Sequence, residues 1–125
     1  MIVDTSALIA VLRREPDADR LADHLLATSE VRLAAGTLLE TRIVAERDGG
    51  SAELEELLEV LGGDIVPADA RQADLAFDGL RRFGKGRHPA ALNLGDLFAY
   101  ALARALGEPL LFKRDDFVQT DVEAM

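Results

Sequence analysis

Several acidic residues stand where a strand gives way to a helix or a turn. Asp4 follows the apolar pair Ile2-Val3 in Asp4-Thr5-Ser6-Ala7. Glu40 interrupts the apolar stretch Leu38 to Val44, Asp96 closes Asn93-Leu94-Gly95-Asp96, and Asp115 and Asp116 follow Leu110 to Arg114. Each has an ordinary structural explanation. Asp4 can cap a helix beginning near Ala7. Thr37-x-x-Glu40 matches a capping box. Asn93 can cap a helix whose dipole favours Asp96 in its first turn, and Asp116 can cap a last short helix. Gathered at one rim, however, the same carboxylates repel one another unless a cation neutralises them. The chain has no cysteine, and its two histidines, His24 and His88, are far apart. Oxygen donors alone favour Mg²⁺, with Mn²⁺ able to substitute, over zinc. A site of that kind suits hydrolysis of a phosphodiester by activated water, with charge offset on the leaving oxygen.

The elements that would gather these acids alternate between strands and helices. Strands are expected at Ile2-Val3, 31–35, Ile65-Val66 and 109–112. Helices are expected over 7–12, 17–28, 37–47, 51–61, 70–83 and 93–106, each with apolar residues at helical spacing. Ser51 suits an N-cap, Gly62-Gly63 and Gly107 suit helix stops, and Phe117 and Val122 mark a final short element. Strands spaced by helices imply parallel pairing with helices on both faces. The expected fold is therefore α/β, a three-layer α/β/α sandwich with a mainly parallel central sheet, as one domain over 1–125. Ligands in such sheets sit beyond the carboxyl ends of the strands, where these acids fall.

A net charge of −9 argues against a general nucleic-acid binder. The excess lies almost wholly in residues 1–79, whereas 80–125 is nearly balanced and holds the basic run Arg81 to His88. A local basic patch can still hold one strand of RNA, so Lys85 and Arg87 are expected to bind RNA phosphates. The apolar runs are too short to span a membrane, and Met1-Ile2-Val3-Asp4 is no signal peptide, so a cytoplasmic location is expected. A phospho-acceptor domain of the receiver type also clusters acids around Mg²⁺, but Asp69 after Pro67-Ala68 is a poor acceptor site. A phosphatase of the haloacid-dehalogenase type would want Asp-x-Asp after strand one, where Ser6 stands.

The opening Met1-Ile2-Val3-Asp4-Thr5-Ser6-Ala7-Leu8 resembles the start of a PIN domain. Residues 84–96 and 107–117 are similar to one branch of the VapC toxins, and the likeness runs from Met1 to about Asp121. The resemblance implies a Mg²⁺-dependent endoribonuclease, the toxin of a toxin–antitoxin pair, cleaving RNA such as tRNA or ribosomal RNA. It implies Asp4, Glu40, Asp96 and Asp116 as the acidic quartet, Asp4 and Asp96 as direct metal ligands, and Ser6 as a supporting hydrogen-bonding group. Arg114 departs from the Gly usual in that turn, which leaves Asp115 and Asp116 as alternatives. The implied partners are RNA, a VapB-like antitoxin and a second copy in a homodimer.

Overall fold

A computed structural model describes residues 1–113 and 117–125. In chain order the elements are β1 (Ile2–Val3), α1 (Thr5–Leu12), α2 (Ala18–Ala27), β2 (Arg32–Ala34), α3 (Ala35–Arg47), α4 (Ser51–Leu61), β3 (Asp64–Val66), α5 (Ala70–Phe83), α6 (Leu94–Leu106) and β4 (Leu110–Leu111). The strands form one sheet in the order β3-β2-β1-β4, with every pairing parallel; Ile2 faces both Arg32 and Leu110 across the ladder. Parallel strands buried on both faces must be apolar at every position, and Ile2, Val3, Leu110 and Leu111 are all essentially inaccessible.

Alternation along these short strands separates two cores. Ile2, Ala34 and Leu110 pack with Leu97, Tyr100 and Leu102 of α6 and with Phe83 of α5. Val3, Leu33 and Leu111 point the other way, onto Leu8 of α1 and Leu21 and Leu25 of α2, with Leu57 and Leu58 of α4 at the edge. The result is the expected three-layer α/β/α arrangement. Helix α3 touches α1, α4 and α6, so it links both helical layers. Among the described residues no helix is long and apolar enough to cross a membrane.

Helix α1 begins at Thr5, two residues before the expected Ala7, because Asp4 caps it there, and the starts of α3 and α4 also differ in detail from expectation. Helix α3 begins at Ala35, not Thr37, and Ala34 at its N-cap makes no side-chain bond. Thr37 is thus inside the first turn, fully buried, and Thr37-x-x-Glu40 is no capping box. Gly50, not Ser51, is the N-cap of α4; the Ser51 hydroxyl instead donates to Glu46. Helix α6 ends as expected, with Gly107 in the left-handed conformation at φ 63° donating its N–H to the Ala103 carbonyl.

The tail is fastened to the α5–α6 layer and to the edge of the sheet. Phe117 is buried in the α5–α6 core, and Leu110 N–H donates to the Glu123 carbonyl while Met125 N–H donates to that of Leu110, so the final element lies along β4. The Tyr100 hydroxyl donates to Asp121 Oδ1 and accepts from Arg104 Nη1, both at 2.8 Å, and Arg82 Nη1 donates to Asp121 Oδ2 at 2.9 Å. Burial pushes the Asp121 pKa up, but Tyr100, Arg82 and Arg104 outweigh it and hold the carboxyl below its ordinary 3.8. A depressed folded value means this contribution to stability is complete above the unfolded pKa and lost as pH falls through the folded one. Asp121→Asn is therefore expected to flatten the acid limb of the stability curve below about pH 4, measured as urea midpoints against pH. An unchanged limb would place the acid sensitivity elsewhere.

Candidate functional site

All four strands are parallel, so their carboxyl ends share one rim. Asp4 follows β1 directly at that rim. Its N–H donates to the Leu111 carbonyl of β4 at 3.0 Å, and its carboxylate Oδ2 accepts the Ser6 N–H at 2.9 Å, capping α1. The side chain is buried, the residue being 3% exposed. Ser6 contributes through its backbone to Asp4 and through its hydroxyl elsewhere: Ser6 Oγ accepts the Lys113 N–H at 3.0 Å. That bond ties the segment after β4 to the first turn of α1.

Helix α6 leads into β4, so it runs back along the sheet and starts at the same rim. Its N-cap, Asn93, accepts the Asp96 N–H at 3.0 Å, and Asp96 Oδ2 accepts the Asn93 N–H at 2.9 Å, a reciprocal capping box. Asp96 is 6% exposed. For both Asp4 and Asp96 the capping explanation and the site explanation describe one arrangement, in which a backbone N–H fixes the carboxylate's direction while the helix dipole favours its charge.

Glu40 approaches α6 from α3. A Cβ on Gly95 would collide with the Glu40 carboxylate, so that carboxylate rests on the first turn of α6, one residue from Asp96. A side chain at 95 would displace the carboxylate from this position, a move the flexible Glu40 side chain can make. Thr5, Thr37 and Thr41 form a buried seam between α1 and α3: Thr41 Oγ1 lies 3.0 Å from Thr5 Oγ1 and donates to the Thr37 carbonyl at 2.7 Å. This seam fixes α3, and with it Glu40, against the helix that starts at Asp4. The spacing of Thr37 and Thr41, one helical turn apart, is the sequence signal for it.

Asp115 and Asp116 lie outside the described residues. Among those described, no three His, Asp or Glu side chains converge as a metal-binding group. Mg²⁺ needs no such cage, because it takes one or two carboxylates and keeps several waters. The oxygen-only donor set of Asp4 and Asp96 fits that requirement.

The basic run divides in two. Arg82 is committed to Asp78 and Asp121, and Arg81 lies over the Phe77 ring. Lys85 and Arg87 are exposed and, among the described residues, form no ion pair. Their loop is closed by Lys85 N–H to the Leu92 carbonyl at 3.0 Å and Arg87 N–H to that of Gly84 at 3.0 Å. It then runs into Asn93, which brings both cations to the Asp96 end of α6.

A PIN domain family model matches residues 1–123. The chain is 47% identical to a ribonuclease VapC of Mycolicibacterium smegmatis over 129 residues, covering 100% of this chain and 99% of the relative. It is 44% identical to ribonuclease VapC30 of Mycobacterium tuberculosis over 125 residues, covering 98% and 95%. Among solved structures, VapC20 of Mycobacterium tuberculosis, a sarcin-ricin loop cleaving toxin, superposes with a TM-score of 0.77 at 18% identity over 99% of this chain and 97% of that one. A toxin–antitoxin complex from Klebsiella pneumoniae superposes with a TM-score of 0.75 at 17% identity, covering 99% and 95%.

Proposed function

The chain belongs to the PIN domain family, and from that premise we propose that it is a Mg²⁺-dependent endoribonuclease, the toxin of a toxin–antitoxin pair. The observation that carries this reading is the pair of buried carboxylates, Asp4 and Asp96, each aimed by a backbone N–H at the sheet's carboxyl-end rim. Relatives over the full length are named ribonucleases. Asp4 and Asp96 would hold Mg²⁺, or Mn²⁺ in its place, with Asp116 or Asp115 supplying a further acid. When bound, such an ion supplies charge neutralisation and Lewis-acid activation for cleavage of a phosphodiester. Glu40, resting on the start of α6, would orient water, and the Ser6 N–H holds the Asp4 carboxylate.

A VapB-like antitoxin fits the same rim, since an arginine or lysine could replace the metal as counter-charge to the carboxylates. The exposed apolar side chains Leu39, Ile43 and Leu94 beside Glu40 give surface for a second copy in a homodimer. A tRNA or ribosomal RNA loop is the expected substrate. The purified chain should cut RNA in Mg²⁺ and not in EDTA, and mapped RNA ends would identify the target. Equal RNA integrity with and without Mg²⁺ would sink the reading.

Lys85 and Arg87 would hold the substrate backbone. Replacing both with Ala should weaken RNA binding and flatten its salt dependence. Each single-strand phosphate contact contributes about −0.7 to the slope of log affinity against log salt, so the loss is up to about 1.4. An unaltered slope would make the loop a solvated surface.

A further inference from the structure

Behind Ser6 lies a recess of about 140 Å³, lined by Thr5, Ser6, Arg13, Glu15, Arg47 and Lys113 among others. It adjoins Asp4, because Thr5 and Ser6 are the turn that Asp4 caps. On the other side of α3 a recess of about 350 Å³ contains Glu40 and Gly95. Val44 and Arg47 line both recesses. Arg47, in the last turn of α3, therefore stands on the ridge between the Asp4 side and the Glu40 side.

The three cations of the Ser6 recess are not equivalent. Arg13 Nε donates to Asp48 at 2.7 Å, and the Lys113 ammonium is paired with Glu15 and, at 3.5 Å, with Asp17. Arg47 is exposed and, among the described residues, has no carboxylate within ion-pair distance. Among the described residues no side-chain hydrogen bond or ion pair occupies its guanidinium, and Asp48 acts on it only through longer-range charge. A polyanion drawn across this rim must pass carboxylates that repel it, and a guanidinium fork on the intervening ridge matches phosphate bidentately.

We propose that Arg47 anchors a substrate phosphate: it grips a phosphodiester flanking the one that is cut and seats it at the mouth of the Ser6 recess. This rests on the ribonuclease reading above. Arg13, held in the recess wall by Asp48, adds positive potential, while Arg47 makes the contact.

The test uses Asp96→Asn protein, so that RNA is not consumed, and a fluorescein-labelled oligouridylate followed by anisotropy over a range of KCl. Adding Arg47→Ala should weaken binding about tenfold, the loss expected for a charge-assisted hydrogen bond, and lower the salt slope by about 0.7. Arg47→Lys should keep the slope, because the charge remains, and lose a few-fold in affinity with the fork. Arg71→Ala removes an equal charge where Arg71 donates to the Ala105 carbonyl, at the far end of α6 from Asp96, and should alter neither. If Arg47→Ala binds with the same affinity and slope as its parent, Arg47 is a solvated surface charge and the ribonuclease reading stands. If the unmodified chain neither binds the oligonucleotide nor cuts total cellular RNA, both inferences fall together.

Discussion

Asp96→Asn should reduce RNA cleavage in Mg²⁺ by at least about 100-fold while leaving the fold intact. Removing a partner one shell outside a metal typically costs about 10–100-fold in affinity or activity, so replacing a proposed ligand sets its floor near the top of that range. The amide keeps the shape of the carboxylate and its acceptor for the Asn93 N–H. What it loses for folding is the charge at the start of α6, about 0.3–1 kcal/mol. Asp96→Ala separates the two roles. It loses the capping bond as well, a cost of about 1 kcal/mol, and should melt several degrees lower while being equally inactive. The checks are initial rates on a defined RNA and thermal melts of the three proteins. Asp96→Asn cutting at the unmodified rate would remove Asp96 from the site.

The capping boxes show what the sequence could and could not reveal. Asn93 is a local signal, so the sequence was enough to read it as the cap of α6 with Asp96 in the first turn; the reciprocal bond from the Asn93 N–H to Asp96 is what the structure adds. Thr37-x-x-Glu40 has the same spacing and is not a cap. Ala34, Ala35 and Gly36 carry no capping side chain, so nothing local marks the true start of α3. Burial between the sheet and α6 starts the helix there, with the Phe98 ring packed directly over Gly36. The reach of Glu40 to Gly95 is a contact between elements far apart in the chain, and only the parallel order β3-β2-β1-β4 creates it. Arg47 and Arg42 look alike in the sequence, both being arginines on one helix. Only the tertiary neighbours distinguish them: Glu55 pairs with Arg42, whereas among the described residues no carboxylate pairs with Arg47, which lines the recess beside Ser6. The strand and helix pattern was legible because each short strand carries an adjacent apolar pair and most helices are punctuated by glycine or a capping residue. The ranking of Asp115 and Asp116 belongs to residues outside those described.

Mg²⁺ should raise the melting temperature of the unmodified protein by several degrees, and much less for Asp4→Asn. A ligand that binds only the folded state at about ten times its dissociation constant adds roughly 1.4 kcal/mol, or about 4–8 °C for a domain of this size. Asp4→Asn removes one proposed ligand but retains the cap, since its amide oxygen can accept the Ser6 N–H that Asp4 Oδ2 accepts at 2.9 Å. Asn is as good an N-cap as Asp. The mutant in EDTA should therefore melt no lower than the unmodified protein, and higher to the extent that Asp4 is repelled by neighbouring carboxylates when no cation is bound. The two explanations of Asp4 separate at this point. If Asp4 only caps α1, the substitution is close to neutral in EDTA and Mg²⁺ shifts both proteins alike. If Asp4 is also a ligand, the Mg²⁺ shift collapses in the mutant while the EDTA melt does not fall. The measurement needs no RNA, so it tests the metal site independently of substrate, target and partner. Equal Mg²⁺ shifts in the two proteins would leave Asp4 a helix cap and nothing more.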